Sequence, residues 1–266
     1  MASGATRREL LAEPESWALG AGLQGALCCT AAVDSITQAT LGAVVADLGL
    51  GRRLGRGAPW WGVALGTLPD LDVLAYPFLD GVERLLWHRG PSHGLVILLA
   101  LTPLCAWLVQ RCHRQRSVAW WPCCWTVWLI FLTHVLIDYF TIYGTGVWEP
   151  FSDHRVASNN LFIIDPLFTL PLLCATLGAM LFPPERRWRW PLSLAAAVLA
   201  TVYTSWSFTA KLLIEQRFAA QLTAEERVVD RWLSAPTPFN TLLWRCLAEG
   251  ERDGEPGFWI GYASLL

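Results

Sequence analysis

The chain has 266 residues, of which 54% are hydrophobic and only 16% are charged. This composition excludes a disordered chain, which has low hydrophobicity and high net charge, and its charged fraction is well below the roughly 25% of soluble domains. The net charge of −2 gives no basic field of the kind that nucleic-acid-binding domains carry. Sixteen tryptophans, a residue type that collects at membrane interfaces, complete the pattern of a multi-span membrane protein.

The first 33 residues combine Arg7 and Arg8 with a weakly apolar run from Trp17 to Val33. This pattern is typical of a signal sequence or a signal anchor, although no clear A-x-A cleavage site follows it. We therefore predict an N-terminal extension over residues 1–33. This extension is either a signal anchor or an artefact of a start codon assigned too far upstream.

Four apolar runs have about the length that a helix needs to cross ~30 Å of hydrocarbon. They are Gly94–Val109, Ala119–Ile137, Pro166–Phe182 and Pro191–Ala210. Two shorter runs, Ser35–Leu50 and Pro59–Leu68, are candidates for half-spans or for helices packed on the bundle. The expected fold is an all-α, polytopic membrane bundle of about four to six spans, formed by residues 34–210.

Three short basic loops indicate how this bundle is oriented. They contain Arg52, Arg53 and Arg56, then Arg111, Arg114 and Arg116, and finally Arg186, Arg187 and Arg189. The positive-inside rule places such loops in the cytoplasm, so the opposite ends of the runs share one level on the outer side. On that side we expect residues 211–266 to form an extramembrane cap that begins with an amphipathic or soluble helix.

Several kinds of catalytic site are excluded by their missing motifs. The eight cysteines form no C-x-x-C pair, which excludes the zinc-ribbon and redox motifs. The chain also lacks the Gly-x-Ser-x-Gly elbow of serine hydrolases and the glycine motifs that bind phosphates. Candidate chemistry therefore comes from histidines and carboxylates.

His134 and Asp138 lie four residues apart at the end of a predicted span. On a helix this spacing places both side chains on one face, where an imidazole and a carboxylate can ligate one cation. Ionisable side chains are costly within a membrane and are usually functional there. The alternative interpretation is a buried pair that only fixes helix packing.

Two further motifs fall at the same predicted level. His88 and His93 bracket Arg-Gly-Pro-Ser, whose glycine and proline favour a turn that brings both imidazoles to the mouth of the next span. Asp70 and Asp72 offer the hard oxygen ligands that suit Mg²⁺, Mn²⁺ or a mixed histidine–carboxylate zinc site. A proline–aspartate turn with a helix cap is the alternative interpretation of the two aspartates.

Other charged residues complete the candidate site. Asp34 is a weaker ligand candidate because it also has the position of a cap for a helix beginning at Ser35. We expect Arg89 and Arg155 to bind a substrate anion, and Asp165 to orient a ligating histidine. The predicted ligands of one to three divalent ions are Asp34, Asp70, Asp72, His88, His93, His134 and Asp138.

The order and spacing of these motifs resemble those of a known family. The series is Asp34-Ser-Ile-Thr-Gln38, Leu68-Pro-Asp-Leu-Asp72, His88-Arg-Gly-Pro-Ser-His93 and His134-x-x-x-Asp138. It resembles the bacterial inner-membrane metal-dependent hydrolases, also described as LexA-regulated or LexA-binding membrane hydrolases, over residues 34–266. Many members have histidine where Gln38 stands, so this chain departs from the family at one potential ligand.

The resemblance implies an activity that the residues alone do not. The family is distantly similar to zinc-dependent phospholipase C and P1-type nuclease, which use His-x-x-x-Asp helices and several zinc ions. That similarity implies phosphoester hydrolysis with zinc, or alternatively with Mn²⁺ or Mg²⁺. Because one fold hosts many activities, it does not identify the substrate.

The leading hypothesis is therefore a metal-dependent hydrolase of the bacterial inner membrane whose site faces the periplasm. Water activated by the metal would attack a phosphoester or lipid-linked substrate. The expected partners are the lipid bilayer and such a substrate, and nucleic acid is not expected. An ion- or proton-handling transporter and a regulatory membrane protein with a relic metal site are the alternatives. A transporter predicts polar groups along the depth of the spans, whereas here they concentrate at one end.

Overall fold

The computed structural model of the chain describes residues 16–162, 165–225, 228–252 and 255–266, so residues 1–15 of the predicted extension lie outside it. Across these ranges the chain forms seven α-helices, followed by three β-strands. The helices are α1 Ser16–Leu54, α2 Gly57–Gly66, α3 Gly81–Trp87, α4 Leu95–Cys112, α5 Trp120–Phe140, α6 Pro166–Leu181 and α7 Arg189–Ala224. The strands are β1 Val229–Pro236, β2 Leu243–Arg252 and β3 Glu255–Ser264.

All four predicted spanning runs are helical, as α4, α5, α6 and α7. Among the described helices, α4, α5 and α7 are long and apolar enough to cross a membrane, while α6 is a shorter apolar helix of 16 residues. The interior of the bundle contains two hydrophobic clusters. One joins α1 to α2, α4 and α5, and the other joins α1 to α6 and α7. A helical membrane protein is the architecture that these features support.

Helix α1 is a single helix of 39 residues, where the sequence predicted a weak run and a separate short one. No proline or glycine lies between Ala31 and Thr37 to end a helix there. Asp34 is consequently inside α1, so the alternative interpretation, in which it caps a helix at Ser35, is wrong. Its side chain lies outside the part of the chain that the structure describes.

Glycines allow α1 and α2 to pack closely. Gly62 and Gly66 form a G-x-x-x-G pattern, which brings helix backbones together. A Cβ atom at Gly62 would lie 2.2 Å from the Gly42 carbonyl oxygen, and one at Gly66 would lie 2.8 Å from the Gln38 carbonyl oxygen. This packing holds the end of α2 beside the middle of α1, at the level of the candidate site.

Arg189 departs from the predicted basic loop because it begins α7 and is only 2% exposed. Its guanidinium forms an ion pair with Asp47 of α1 and donates hydrogen bonds to the carbonyls of Phe182 and Gly55 at 2.9 and 2.8 Å. Ser193 donates to the other Asp47 oxygen at 2.8 Å. This buried network joins α1 to α7 at the end where the arginines gather.

The C-terminal tail corrects the all-α prediction. Helix α7 continues to Ala224, which covers only the first part of the predicted tail helix, and the rest forms an antiparallel sheet in the order β1-β2-β3. Trp244, Cys246 and Ala248 alternate along β2 and are fully buried, as one face of a strand requires. That face shares a hydrophobic cluster with the end of α7, including Ile214. The small cap is therefore a sheet packed on a helix.

Candidate metal centre

Four side chains could hold a metal ion together: Asp70, His93, His134 and Asp138. Each offers one ligand atom, and the four atoms lie within 4.8 Å of one another. Asp70 comes from a 3-10 helix over Pro69–Phe78 that follows α2, and His93 ends a short 3-10 turn just before α4. His134 and Asp138 lie one turn apart on α5, as predicted. The two histidines and Asp138 are at most 1% exposed, and Asp70 is 9% exposed.

The spacing of the ligand atoms fits one four-coordinate ion. His93 Nε2 lies 3.0 Å from His134 Nε2, 3.0 Å from Asp138 Oδ2 and 3.4 Å from Asp70 Oδ1. His134 Nε2 lies 3.6 Å from an oxygen of each aspartate. Nitrogen and oxygen ligands of a tetrahedral zinc ion are about 3.3 Å apart, given bonds of about 2.0–2.1 Å. The donor set suits zinc and also Mn²⁺.

Hydrogen bonds fix which nitrogen of each histidine faces the cluster. His134 Nδ1 lies 2.7 Å from the Gly66 carbonyl oxygen, which only accepts, so Nδ1 carries the proton. Ser92 Oγ donates to Asp72 at 3.2 Å and therefore accepts from His93 Nδ1 at 2.9 Å. In the neutral rings both Nε2 atoms then present lone pairs to the cluster. Two lone pairs 3.0 Å apart repel each other unless a cation or a proton lies between them.

A proton competes with a metal ion at His93. Burial lowers the pKa of His93, but hydrogen bonds to Asp138 and Asp70 and the charges of both carboxylates outweigh burial and raise it to about 9. The negative surroundings therefore favour a positive charge at this position. A metal ion that binds must displace the proton.

Asp138 is held by two further donors. Its Oδ1 accepts from Gln38 Nε2 at 2.8 Å and lies 3.0 Å from Arg89 Nη2. Arg89 is 1% exposed and also donates to Thr141 at 2.6 Å. The structure thus places Arg89 against a candidate ligand, where the sequence predicted contact with a substrate anion. Gln38, at the position where the resemblance predicted a histidine ligand in many family members, orients Asp138 through this hydrogen bond.

Asp72 and His88, both predicted as ligands, form a separate pair beside the four-residue cluster. Asp72 Oδ1 lies 3.2 Å from His88 Nδ1, and Oδ2 accepts from the Arg89 backbone N–H at 3.0 Å. Burial raises the pKa of Asp72, but the hydrogen bond to His88 and the nearby imidazoles lower it overall. The rings of His88 and His93 are 6.3 Å apart, so the pair borders the candidate metal centre.

Tyr76 is a neighbour that the sequence did not reveal. Its ring packs edge-on against His88 at 6.1 Å. Burial and the charges of Asp72 and Asp70 raise the pKa of Tyr76 to about 12. The phenol therefore stays protonated at neutral pH and is a hydrogen-bond donor at the edge of the site.

Two predicted residues lie in other surroundings. Arg155 is partly exposed. Its pKa is lowered overall, because burial and the positive charge of Arg89 outweigh the opposite effect of Glu149. Its charge therefore acts on the same region as Arg89. Asp165 accepts from the Leu167 backbone N–H at 3.0 Å and from the Tyr203 hydroxyl at 2.5 Å. It caps α6 and ties it to α7, which is a different role from the predicted orientation of a histidine.

Comparison with known proteins gives the chain a family context. The family described as YdjM inner membrane protein matches residues 33–211, a range that contains all four residues of the candidate metal centre. Inner membrane protein YbcI of Escherichia coli (strain K12) is 31% identical over 133 residues, which cover 48% of this chain and 74% of YbcI. No solved structure matches the chain.

Proposed function

This chain belongs to the YdjM inner membrane protein family, and we propose that it is a membrane-embedded metal-dependent hydrolase. The observation that carries the proposal is the convergence of two histidine Nε2 atoms and two carboxylates in a nearly closed site. Asp70, His93, His134 and Asp138 would hold the ion. When bound, a divalent metal of this kind lowers the pKa of water and stabilises negative charge on a phosphoryl or acyl group.

Two arginines beside the site support an anionic substrate. Asp70 and Asp138 balance the charge of a divalent ion, while Asp72 and Glu149 add negative charge around it. Cationic side chains of the region include Arg89, whose guanidinium contacts Asp138, and Arg155, whose field reaches the same region. A phosphoester would pair with the metal ion and with these arginines.

The remaining residues bind and orient the ligands. Gly66 and Ser92 fix the two histidine rings through their Nδ1 atoms, while Gln38 and Arg89 hold Asp138. Such supporting hydrogen bonds commonly control metal affinity. The His88 side chain, 23% exposed and paired with Asp72, is the group best placed to exchange a proton with substrate or solvent.

The position of the site supports a membrane-derived substrate. His134 and Asp138 lie in the last two turns of the spanning helix α5, and His93 lies just before α4. The site is therefore at a membrane boundary, which favours a lipid or lipid-linked phosphoester. The three basic loops lie at the opposite ends of the helices, and the positive-inside rule then favours a site that faces the periplasm.

Metal analysis of the purified full-length protein tests the metal centre. We expect about one zinc, manganese or magnesium ion per chain. His134→Ala and Asp138→Ala should lose it, while His154→Ala, which changes an exposed loop histidine, should keep it. Unchanged metal content in the first two variants would show that the site is assigned wrongly.

An activity assay then tests hydrolysis separately. The probes are p-nitrophenyl phosphate, bis(p-nitrophenyl) phosphate and phosphatidylglycerol vesicles, each with wild type and with His134→Ala. Hydrolysis should require metal and fall to background in the variant. Stoichiometric metal without hydrolysis above that background would instead favour the regulatory alternative.

A further inference from the structure

The candidate metal centre is almost closed to solvent. His93, His134 and Asp138 are at most 1% exposed, whereas the side chains of Asp70 and His88 are 11% and 23% exposed. Asp70 and His88, the two with the larger exposed fractions, belong to the region between α2 and α4. Access to the ligands is therefore from the side of the 3-10 helix Pro69–Phe78.

Two segments border this side of the site. The first is the 3-10 helix, whose Asp72 receives hydrogen bonds from the turn before α4. The second is the loop over residues 145–151, whose Gly146 N–H donates to the Arg89 carbonyl oxygen at 2.8 Å. The Val147 carbonyl oxygen accepts from the Leu95 N–H at 3.1 Å. Both segments are thus joined to the turn that leads into α4.

Large apolar side chains project from both segments. Leu74 and Phe78 are 69% and 87% exposed on the first, and Trp148 and Phe151 are 57% and 79% exposed on the second. We call these four residues the apolar rim. Isolated exposed apolar residues are ordinary, but large ones on two segments that join the same turn are typical of an interaction surface.

An exposed apolar surface of α4 continues from this region. Helix α4 is long and apolar enough to span a membrane, and its Val96 and Leu99 are 52% and 55% exposed near the end joined to the rim. The loop residue Val147 is hydrogen-bonded to the first residue of the same helix. The Trp148 and Phe151 part of the apolar rim is therefore joined to the end of a helix long enough to span a membrane. The boundary between hydrocarbon and headgroups is a depth that tryptophan and phenylalanine side chains occupy readily.

We infer that the apolar rim inserts into the headgroup–acyl boundary of the bilayer, so that the site opens toward lipid. A lipid molecule then reaches the ligands from the membrane, with its polar head beside Asp70 and His88. Delivery of a substrate along this path rests on the proposed hydrolase function. The contact between the rim and lipid does not.

Site-specific photocrosslinking in lipid nanodiscs tests the contact. The full chain carries p-benzoylphenylalanine in place of Phe78 or Phe151, and lipid adducts are measured by mass spectrometry after irradiation. Glu83 and Asp153 are nearby exposed polar positions and serve as matched controls. Trp125, 61% exposed on α5, is the positive control within a span.

We expect lipid adducts at positions 78 and 151 in several-fold higher yield than at 83 and 153, and close to the yield at 125. Equal yields at the rim and at the polar controls, together with adducts at 125, would overturn the inference. Crosslinks from the rim to a second copy of the chain would overturn it as well. If the variant at Phe78 or Phe151 does not fold, p-benzoylphenylalanine in place of Leu74 or Trp148 provides the same comparison. Lipid adducts in a protein that shows no hydrolysis would support the contact between the rim and lipid and contradict the proposed hydrolase function.

Discussion

The guanidinium of Arg89 lies 3.0 Å from the carboxylate of Asp138, and both side chains are at most 1% exposed. Removing two charges from water is costly, and each charge here offsets the cost of burying the other. The second oxygen of Asp138 faces the candidate metal centre. This one ion pair therefore connects the stability of the fold to the geometry of the ligands.

Replacing Arg89 should lower the stability of the fold and disturb the geometry of the candidate metal centre. Arg89→Met leaves the Asp138 charge buried without its partner, and we expect a loss of about 3–5 kcal/mol in the free energy of unfolding. Denaturation in detergent measures this loss, and metal analysis of the folded fraction measures the site. Arg155→Met is the control because that arginine is partly exposed. Equal destabilisation by the two substitutions would argue against the special role of the Arg89–Asp138 pair.

Gly66 should control metal affinity although it offers no ligand atom. A Cβ there would lie 2.8 Å from the Gln38 carbonyl oxygen and 3.3 Å from Gly42 Cα. Both contacts are with backbone, so Gly66→Ala must displace α2 and with it the carbonyl that orients His134. We expect roughly 10- to 100-fold weaker metal binding, measured by competition with a chelator.

Gly81 provides the matched control for that experiment. A Cβ at Gly81 would meet nothing within 4 Å, so Gly81→Ala should leave metal affinity unchanged. If Gly66→Ala binds metal as tightly as Gly81→Ala, then the Gly66 carbonyl does not set the orientation of His134.

The candidate metal centre was predictable only in part from the sequence. His134 and Asp138 follow from the helical period. Asp70 and Asp72 could not be separated, because the sequence did not reveal the 3-10 helix that contains them. Residues two apart share a face on a strand but point about 120° away from each other on a 3-10 helix. Asp70 consequently joins the cluster, while Asp72 turns to His88.

Contacts between distant parts of the chain account for most of what the sequence did not reveal. The partner of Asp47 is 142 residues away, and no local pattern links an aspartate in an apolar run to an arginine in a basic stretch. The sheet was predictable in principle, because Trp244, Cys246 and Ala248 alternate as in a half-buried strand. The pairing of β2 with β1 and β3 makes this segment a strand and not a helix.

The Asp47–Arg189 pair should stabilise the fold without affecting the metal. Both residues are 2% exposed, and Ser193 satisfies the second carboxylate oxygen. Asp47→Asn leaves the guanidinium buried without a counter-charge, so we expect a loss of about 3–5 kcal/mol. Metal content of the folded protein should stay at the wild-type level, since this pair lies at the opposite end of the bundle.

An exposed ion pair supplies the comparison. Arg231 and Glu249 lie on the outer face of the sheet with side chains that are 79% and 52% exposed. Solvent screens such a pair, so Glu249→Gln should leave the unfolding transition unchanged. A similar loss of stability from both substitutions would contradict the distinction between the buried and the exposed pair.

His113 makes the stability of the arginine-rich end sensitive to pH. Trp61 donates its indole N–H to His113 Nε2 at 2.9 Å, which requires an unprotonated nitrogen there. Burial, and then the charge of Arg116, lower the pKa of His113 below 6.5. The folded state therefore binds this proton less readily than the unfolded state. The resulting stability is fully present above the unfolded pKa and is lost as pH falls through the folded pKa.

His113→Gln isolates this contribution because a glutamine oxygen accepts the same hydrogen bond and does not titrate. We expect acidification from about pH 7.5 to about pH 5 to lower the thermal unfolding midpoint of the wild type more than that of the variant. Every other ionisable group is the same in both proteins, so the difference between the two shifts reports His113 alone. If the variant loses as much stability as the wild type, protonation of His113 does not break the contact with Trp61. A larger loss in the variant would mean that the pKa of His113 is raised in the folded state, with the opposite sign of linkage.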